Sequence, residues 1–484
     1  MGVGTLLSVL SRHWTAALLI CPNPLSVSHP GFKMRLAAPM ALVAFLPLDF
    51  GCGGSTPSRL RLNFLTAGIA GAGGTVTTSP AGTSCGANCG SFDPGADVIL
   101  IATPTGSALF AAWEGDCAGQ GAVCSLTMST DRSTTAHFRP NMNVMFVTSG
   151  TVTPGTIGSN LIAADTFCSS SARAAFLGGD TWRAWLATTA TSAVDHVGAS
   201  VPGWIRVDGR PFALSMTDLT NGKIFYPPRV TELGNLRSVF SAVASASHVD
   251  GTVVTGGNCA DWTSVSDSIF IGNAVATTFS WTLQGQVAGP SCGGTYPLYC
   301  FQVDASMAAV PPPAVPPGGR RAFLSQSKWT PGGGPAAADA ICQADAGTAG
   351  LPNATNYQAL ITTDTAAIGR FDLTRGPWFR LDGAQVVATA ADLGAAAGDR
   401  MLTTINLDPA GNYYANFNAW TGSGVSPGVT TATANCTNWT VAGGTATGWA
   451  GLVNLTGLFG PQWLSWANDL QPCSTPAFVY CLEK

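Results

Sequence analysis

The chain has 484 residues, enough for about three domains that each bury a core. Only 10% of its residues are charged, 26 acids against 22 bases with no run of either sign. That excludes the clustered basic face a nucleic-acid binder needs to neutralise phosphates. Fourteen cysteines are many for a reducing compartment, and twelve, from Cys85 to Cys481, fall into three groups of four. Even numbers at matched spacings point to disulfides formed outside the cytosol. Zinc is the alternative only for the short spacings Cys85/Cys89 and Cys117/Cys124, where nearby histidine is limited to His137.

At the N-terminus an apolar run, Leu36 to Leu48, follows Lys33-Met34-Arg35 and precedes Gly51-Cys52-Gly53. It is too short to span a bilayer and suits the core of a signal peptide. The expected start is therefore Met34, with residues 1–33 an over-long extension and 34–52 the signal peptide. Cys52, after a small residue, resembles a lipoprotein cleavage site, which implies acylation there and a tether over 53–62. An ordinary signal peptide and a secreted protein are the alternative. The address expected is the outer membrane or surface of a Gram-negative bacterium, reached only through the lipid.

Residues 63–139 alternate in the strand manner. Thr75–Thr78, Val98–Ile101, Phe110–Trp113, Ser125–Met128 and Thr134–Phe138 are short β-rich runs separated by turn residues. Gly-Thr-Val-Thr, Ser-Pro-Ala-Gly, two cysteines and Trp-Glu-Gly-Asp-Cys make this segment resemble the divergent internalin-type B-repeat of exported proteins. The resemblance implies a small β-grasp-like spacer, and the alternation assigns Trp113 to its core.

The remainder is an internal duplication, residues 144–303 and 321–484. Ala163-Ala164-Asp165-Thr166-Phe167-Cys168 matches Ala337-Ala338-Asp339-Ala340-Ile341-Cys342, and Trp204–Gly209 matches Trp378–Gly383. Asn258-Cys259-Ala260-Asp261-Trp262-Thr263 matches Asn435-Cys436-Thr437-Asn438-Trp439-Thr440, and each copy closes on Tyr-Cys, at Cys300 and Cys481. Residues 304–320, rich in proline, read as a semi-rigid spacer. Each copy is expected to open with a strand, Val144–Val147 or Arg321–Leu324. A helix follows with Ala164, Cys168 and Ala172, or Ala338, Cys342 and Ala346, on one face. Gly178 and Gly347 are the expected stops. A strand then runs over Trp182–Leu186 or Tyr357–Ile361, and Asp208-Gly209 suits a hairpin turn. The class is α+β.

Four cysteines per copy allow three pairings, and spacing does not choose among them. The helix with Ala-Asp-x-x-Cys, Trp182-Arg183-Ala184-Trp185-Leu186, Cys259-Ala260-Asp261-Trp262 and the closing cysteine resemble endostatin and related bacterial domains of the C-type-lectin-like fold. The second copy departs at Tyr357-Gln358-Ala359-Leu360-Ile361 but keeps Cys436-Thr437-Asn438-Trp439. The resemblance implies nested bridges, Cys168–Cys300 around Cys259–Cys292 and Cys342–Cys481 around Cys436–Cys473. It leaves the pairing of Cys85, Cys89, Cys117 and Cys124 open.

Lectin calcium triplets are absent from the sequence, Trp466-Ala467-Asn468-Asp469 being a near miss. His137, His196 and His248 are dispersed, so no catalytic residue, metal site or cofactor is expected. Arg206/Asp208 and Arg380/Asp382 could grip an anion, but as features shared by both copies they read first as structural. Asn258 and Asn435 read as supports of the inner bridge, and Glu232 and Asp408 as single solvated acids that could touch calcium. The expected function is non-catalytic binding or adhesion to an extracellular glycan or protein, and the resemblance to lectin-like folds implies that any ligand site lies in the loops before Cys259 and Cys436. The alternatives are a structural envelope or matrix component, and an oxidising enzyme on a lectin-like fold with a labile thiol pair.

Overall fold

The computed structural model describes residues 63–71, 73–237, 242–283, 291–394, 400–423, 434–455, 463 and 470–484. Met34, the expected signal peptide, Cys52, the tether and Trp466–Asp469 lie outside the described residues.

The first segment forms eight strands: β1 (Asn63–Ala70), β2 (Gly74–Ser79), β3 (Thr83–Gly86), β4 (Cys89–Phe92), β5 (Asp97–Pro104), β6 (Ala108–Gly115), β7 (Val123–Thr127) and β8 (Arg132–Pro140). They make two sheets, ordered β3-β4-β1-β8-β6 and β2-β5-β7. Side chains on a strand alternate between faces, so Val98, Leu100 and Ala102 of β5 go inward while Ile99 and Ile101 stay exposed. They join Leu65, Phe92, Trp113 and Phe138 in one core. Trp113 is 1% exposed and its indole N–H donates to the Gly121 carbonyl at 2.8 Å. Among its described residues this segment is built of strands alone. Cys85–Cys89 closes the turn between β3 and β4, and Cys117–Cys124 ties the end of β6 to β7.

The first copy contains β9 (Val144–Val147), α1 (Ile162–Ala174), β10 (Trp182–Ala184), β11 (Pro202–Arg206), β12 (Pro211–Ser215), β13 (Ala242–Ala244), β14 (Ile271–Asn273) and β15 (Tyr299–Gln302). The second contains β16 (Arg320–Leu324), α2 (Gly334–Thr348), β17 (Tyr357–Ala359), β18 (Trp378–Arg380), β19 (Asn418–Trp420), β20 (Thr447–Leu452), β21 (Leu470–Pro472) and β22 (Phe478–Glu483). The order β10-β15-β9-β11 recurs as β17-β22-β16-β18, with the same directions: β9/β15 and β16/β22 antiparallel, β9/β11 and β16/β18 parallel. The closing strand of each copy thus lies beside its opening strand.

The two long helices, α1 and α2, are amphipathic through small residues. Ala164, Cys168 and Ala172 of α1, and Ala338, Cys342 and Ala346 of α2, are the buried positions, and residues four apart share a helix face. Cys168–Cys300 fastens α1 to β15, and Cys342–Cys481 fastens α2 to β22. Cys259–Cys292 and Cys436–Cys473 lie within those loops. Closing a loop as long as the 132 residues of the first outer bridge contributes about 5 kcal/mol by removing freedom from the unfolded chain.

The expected helix stops need correction. In α1 the turn-back uses Phe176, at φ 55°, with Phe176 N–H bonding Arg173 O and Leu177 N–H bonding Ala172 O. In α2 the same position is Gly350, at φ 63°, and Gly347 lies inside the helix. Paired bonds of this kind satisfy the last carbonyls of a helix. Phe176 bears a conformation that glycine adopts freely, and its ring stacks on His137 of β8 at 4.4 Å.

The proline-rich segment does not hold the copies apart. Ala276 and Leu455, each three residues beyond its strand, β14 or β20, form an antiparallel bridge between copies. Thr277 N–H donates to Asn454 O at 3.0 Å, and the Thr277 and Thr404 hydroxyls meet at 2.8 Å. Phe225, Tyr226 and Ala384 form a small buried cluster across the same contact.

Candidate functional site

The repeated arginines lie beside that contact. Arg206 ends β11 and is 2% exposed; Arg380 ends β18 and is fully buried. Each reaches back around its hairpin turn to the aspartate two residues on. Arg206 Nη2 lies 2.6 Å from Asp208 Oδ2, and Arg380 Nη2 lies 2.6 Å from Asp382 Oδ2. The other donors are also met: Arg206 Nη1 donates to Pro227 O at 2.8 Å, and Arg380 Nη1 to Asn406 Oδ1 at 2.7 Å. Arg380 Nη2 crosses to Ile224 O of the first copy at 3.1 Å, while Arg229 Nη2 crosses to Met401 O at 2.9 Å. Tyr226 completes the seam, its hydroxyl accepting from Gln385 N–H at 2.7 Å.

Burial opposes ionisation of Asp208, but the hydrogen bond and charge of Arg206 outweigh it and hold the carboxyl below its ordinary range. Burial likewise opposes ionisation of Asp382, and the Arg380 charge outweighs it. Both arginines are enclosed and saturated, so they hold the turn and the seam and offer no free donor edge to an anion.

The Asn-Cys-x-x-Trp repeats build a feature that sequence reasoning missed. Cys259, Ala260, Asp261 and Trp262 all have positive φ, from 48° to 65°, and so do Cys436, Thr437, Asn438 and Trp439, from 51° to 65°. Each is one turn of left-handed helix without a glycine, a conformation costing roughly 1–2 kcal/mol per residue. The tryptophans anchor it: Trp262 Nε1 donates to Ala187 O at 2.8 Å, and Trp439 Nε1 to Thr362 O at 2.5 Å. Asn258 and Asn435 cap the turn, accepting from Asp261 N–H at 3.4 Å and Asn438 N–H at 2.9 Å. In the first copy Asp261 also accepts from Thr189 N–H at 2.8 Å and from its hydroxyl at 2.5 Å. The loop entering this turn borders an open cavity of about 500 Å³ beside His248, Asp250, Thr252 and Phe279. Residues 424–433, which enter the second turn, lie outside the described residues.

The two single acids are corrected by the structure. Glu232 is 6% exposed and accepts from Ser149 N–H at 2.8 Å and from its hydroxyl. Asp408 is 1% exposed and accepts from the backbone of Ala410 at 2.8 Å and of Asn412 at 2.9 Å, and from the Tyr414 hydroxyl at 3.0 Å. Neither is solvated: Glu232 ties its loop to Ser149 just beyond β9, and Asp408 folds its own loop.

Asp165 and Asp339, met in the sequence only as repeat markers, tie helix to sheet. Asp165 accepts from Ala184 N–H at 2.9 Å and pairs with Arg183 and His196, each at 3.0 Å. Asp339 accepts from Ala359 N–H at 2.9 Å and pairs with Arg370 at 2.6 Å. His137 instead meets Glu114 at 3.0 Å, so the three histidines of the described region sit in separate places. Among the described residues no three histidines, cysteines or acids gather to hold a metal, and no helix is long and apolar enough to cross a membrane.

No curated protein matches the chain. Residues 65–142, the two-sheet segment, match the family model of the divergent InlB B-repeat domain.

Proposed function

We propose that the protein is a non-catalytic binding or adhesion protein of the Gram-negative cell surface, recognising an extracellular glycan or protein. In this reading Cys52 carries the lipid anchor, the B-repeat is the stalk, and residues 144–303 and 321–484 are two C-type-lectin-like domains of the endostatin kind. The observation that carries it is a disulfide-closed domain used twice beside a B-repeat. Six disulfides suit an oxidising compartment. The inter-copy seam supports a fixed distance between paired sites, which raises avidity for a repeating ligand whose spacing matches.

The test is the purified mature protein on glycan and peptide arrays. Saturable binding to a defined class is expected. Silence on both arrays, together with self-association and retention in the envelope fraction, would replace this reading with a structural one. Native thiol titration checks the oxidising-enzyme alternative, which requires a labile pair where this account expects none.

A further inference from the structure

A pocket of about 400 Å³ lies between the proline-rich segment and the second copy, bordered by Pro316, Pro352, Arg320, Arg321, Arg375 and Glu483. Arg320 opens β16 and is 1% exposed. Its guanidinium lies over the Trp378 ring at 3.6 Å, and its Nε donates to Gly376 O at 2.9 Å. Nη1 and Nη2 are buried and have no hydrogen-bond partner.

The first copy shows what a satisfied side chain looks like at this place. Strand register sets Arg206 beside Met145 and Arg380 beside Ala322, which aligns Asn143 with Arg320. Asn143 donates to Pro202 O at 3.1 Å and Ala305 O at 3.3 Å, and accepts from Ala305 N–H at 2.9 Å. Its hydrogen bonding is met within the protein, whereas the two terminal nitrogens of Arg320 are unmet. A buried charged group left without partners is costly, so such a group calls for a counterpart.

The surrounding charge fixes the sign of that counterpart. Burial first, and then the neighbouring Arg375 charge, push the Arg320 guanidinium down to about 10 against the opposing pull of Asp372 and Glu483. Glu483 is already engaged by Arg321, accepting from its N–H at 3.0 Å and meeting its Nη1 at 3.5 Å. Arg375 is exposed at the rim and donates to the Lys484 carbonyl. The free Nη1–Nη2 edge of an arginine is a flat fork that matches two oxygens of one acid group.

We propose that this pocket binds an oxyanion, the carboxylate or sulfate of a sugar-sized group, with Arg320 gripping two oxygens and Arg375 closing the rim. The Nη atoms lie beneath the pocket lining, so the ligand enters as the rim side chains move aside. The inference rests on the binding reading and names a ligand class for a site of the second copy alone, apart from any pair of sites the two copies share.

Calorimetric titration of the full exported chain with glucuronate, glucose 6-sulfate and glucose tests it. Saturable binding of at least one charged sugar and none of glucose is expected. Arg320→Asn, which transplants the chemistry of the first copy, should abolish that binding, and Arg375→Gln, at an exposed position, should weaken it about ten-fold. Binding by neither acid, equal binding of glucose, or unchanged binding in Arg320→Asn overturns the site. Array binding by a chain that takes neither charged sugar in calorimetry would sink the pocket and spare the adhesion reading. A pocket that takes glucuronate in a chain silent on arrays would do the reverse.

Discussion

Arg380 is buried on every side, and the seam between the copies is built on satisfying it. Its neighbour Asp382 supplies the opposite charge, and the Tyr413 hydroxyl donates to the same carboxylate at 2.7 Å. Asp382→Asn keeps the shape and removes the charge, leaving a buried cation with carbonyl partners only. It should cost roughly 3–5 kcal/mol in urea unfolding. Asp208 and Asp382 are held below the ordinary carboxylate range by their arginines against the opposing effect of burial. Their contribution is therefore complete above about pH 4 and is lost as pH falls through their lower folded values. The acid limb of the stability curve should be shallower in Asp382→Asn; an unchanged limb would show that this pair does not govern it. The recurrence of Arg-x-Asp-Gly in both copies made a structural role legible in sequence. The partner carbonyl of Ile224 was not, because a contact made across 156 residues leaves no local spacing to read. Glu232 misled for the same reason, its partner Ser149 lying 83 residues away. Asp408 misled although its partners are local, because the amides of Ala410 and Asn412 converge on it only through the turn they form.

The helices were legible because small residues four apart mark a buried face, and the cysteine within each stripe pointed the same way. Their ends were not, since Phe176 occupies the left-handed position where Gly350 stands in the other copy. The left-handed turns were equally hidden. Cys-Ala-Asp-Trp contains no glycine, so the conformation comes from the bridge, the indole anchor and the Asn258 cap rather than from any residue's preference. Ala260 is exposed, with φ 48° and ψ 59°. Ala260→Gly should therefore raise stability, by up to about 1 kcal/mol, where the same change in an ordinary element lowers it. A chemical melt of the single variant decides the sign, and a loss would mean the turn is not strained at that residue.

Duplication and disulfide closure could be read from the chain as a whole, because the cysteines and the short motifs between them recur in the same order in both copies. The contact between copies could not. It is made by backbone carbonyls, the guanidiniums of Arg229 and Arg380, threonines, asparagines, a three-residue cluster of Phe225, Tyr226 and Ala384, and one bridge between irregular segments, none of which carries an apolar period. Nor does the proline-rich segment act as a free spacer: Gly383, at φ 86° in the hairpin turn, lies so near the Pro313 carbonyl that a Cβ there would meet its oxygen at 2.2 Å. Val310, by contrast, is 61% exposed and offers a place to open the chain. The direct measurement is a protease site inserted after Val310, with cleavage followed by gel filtration under native, non-reducing conditions. The two halves should elute together and separate only on unfolding. Elution as two independent pieces would contradict the buried seam on which this account of the molecule rests.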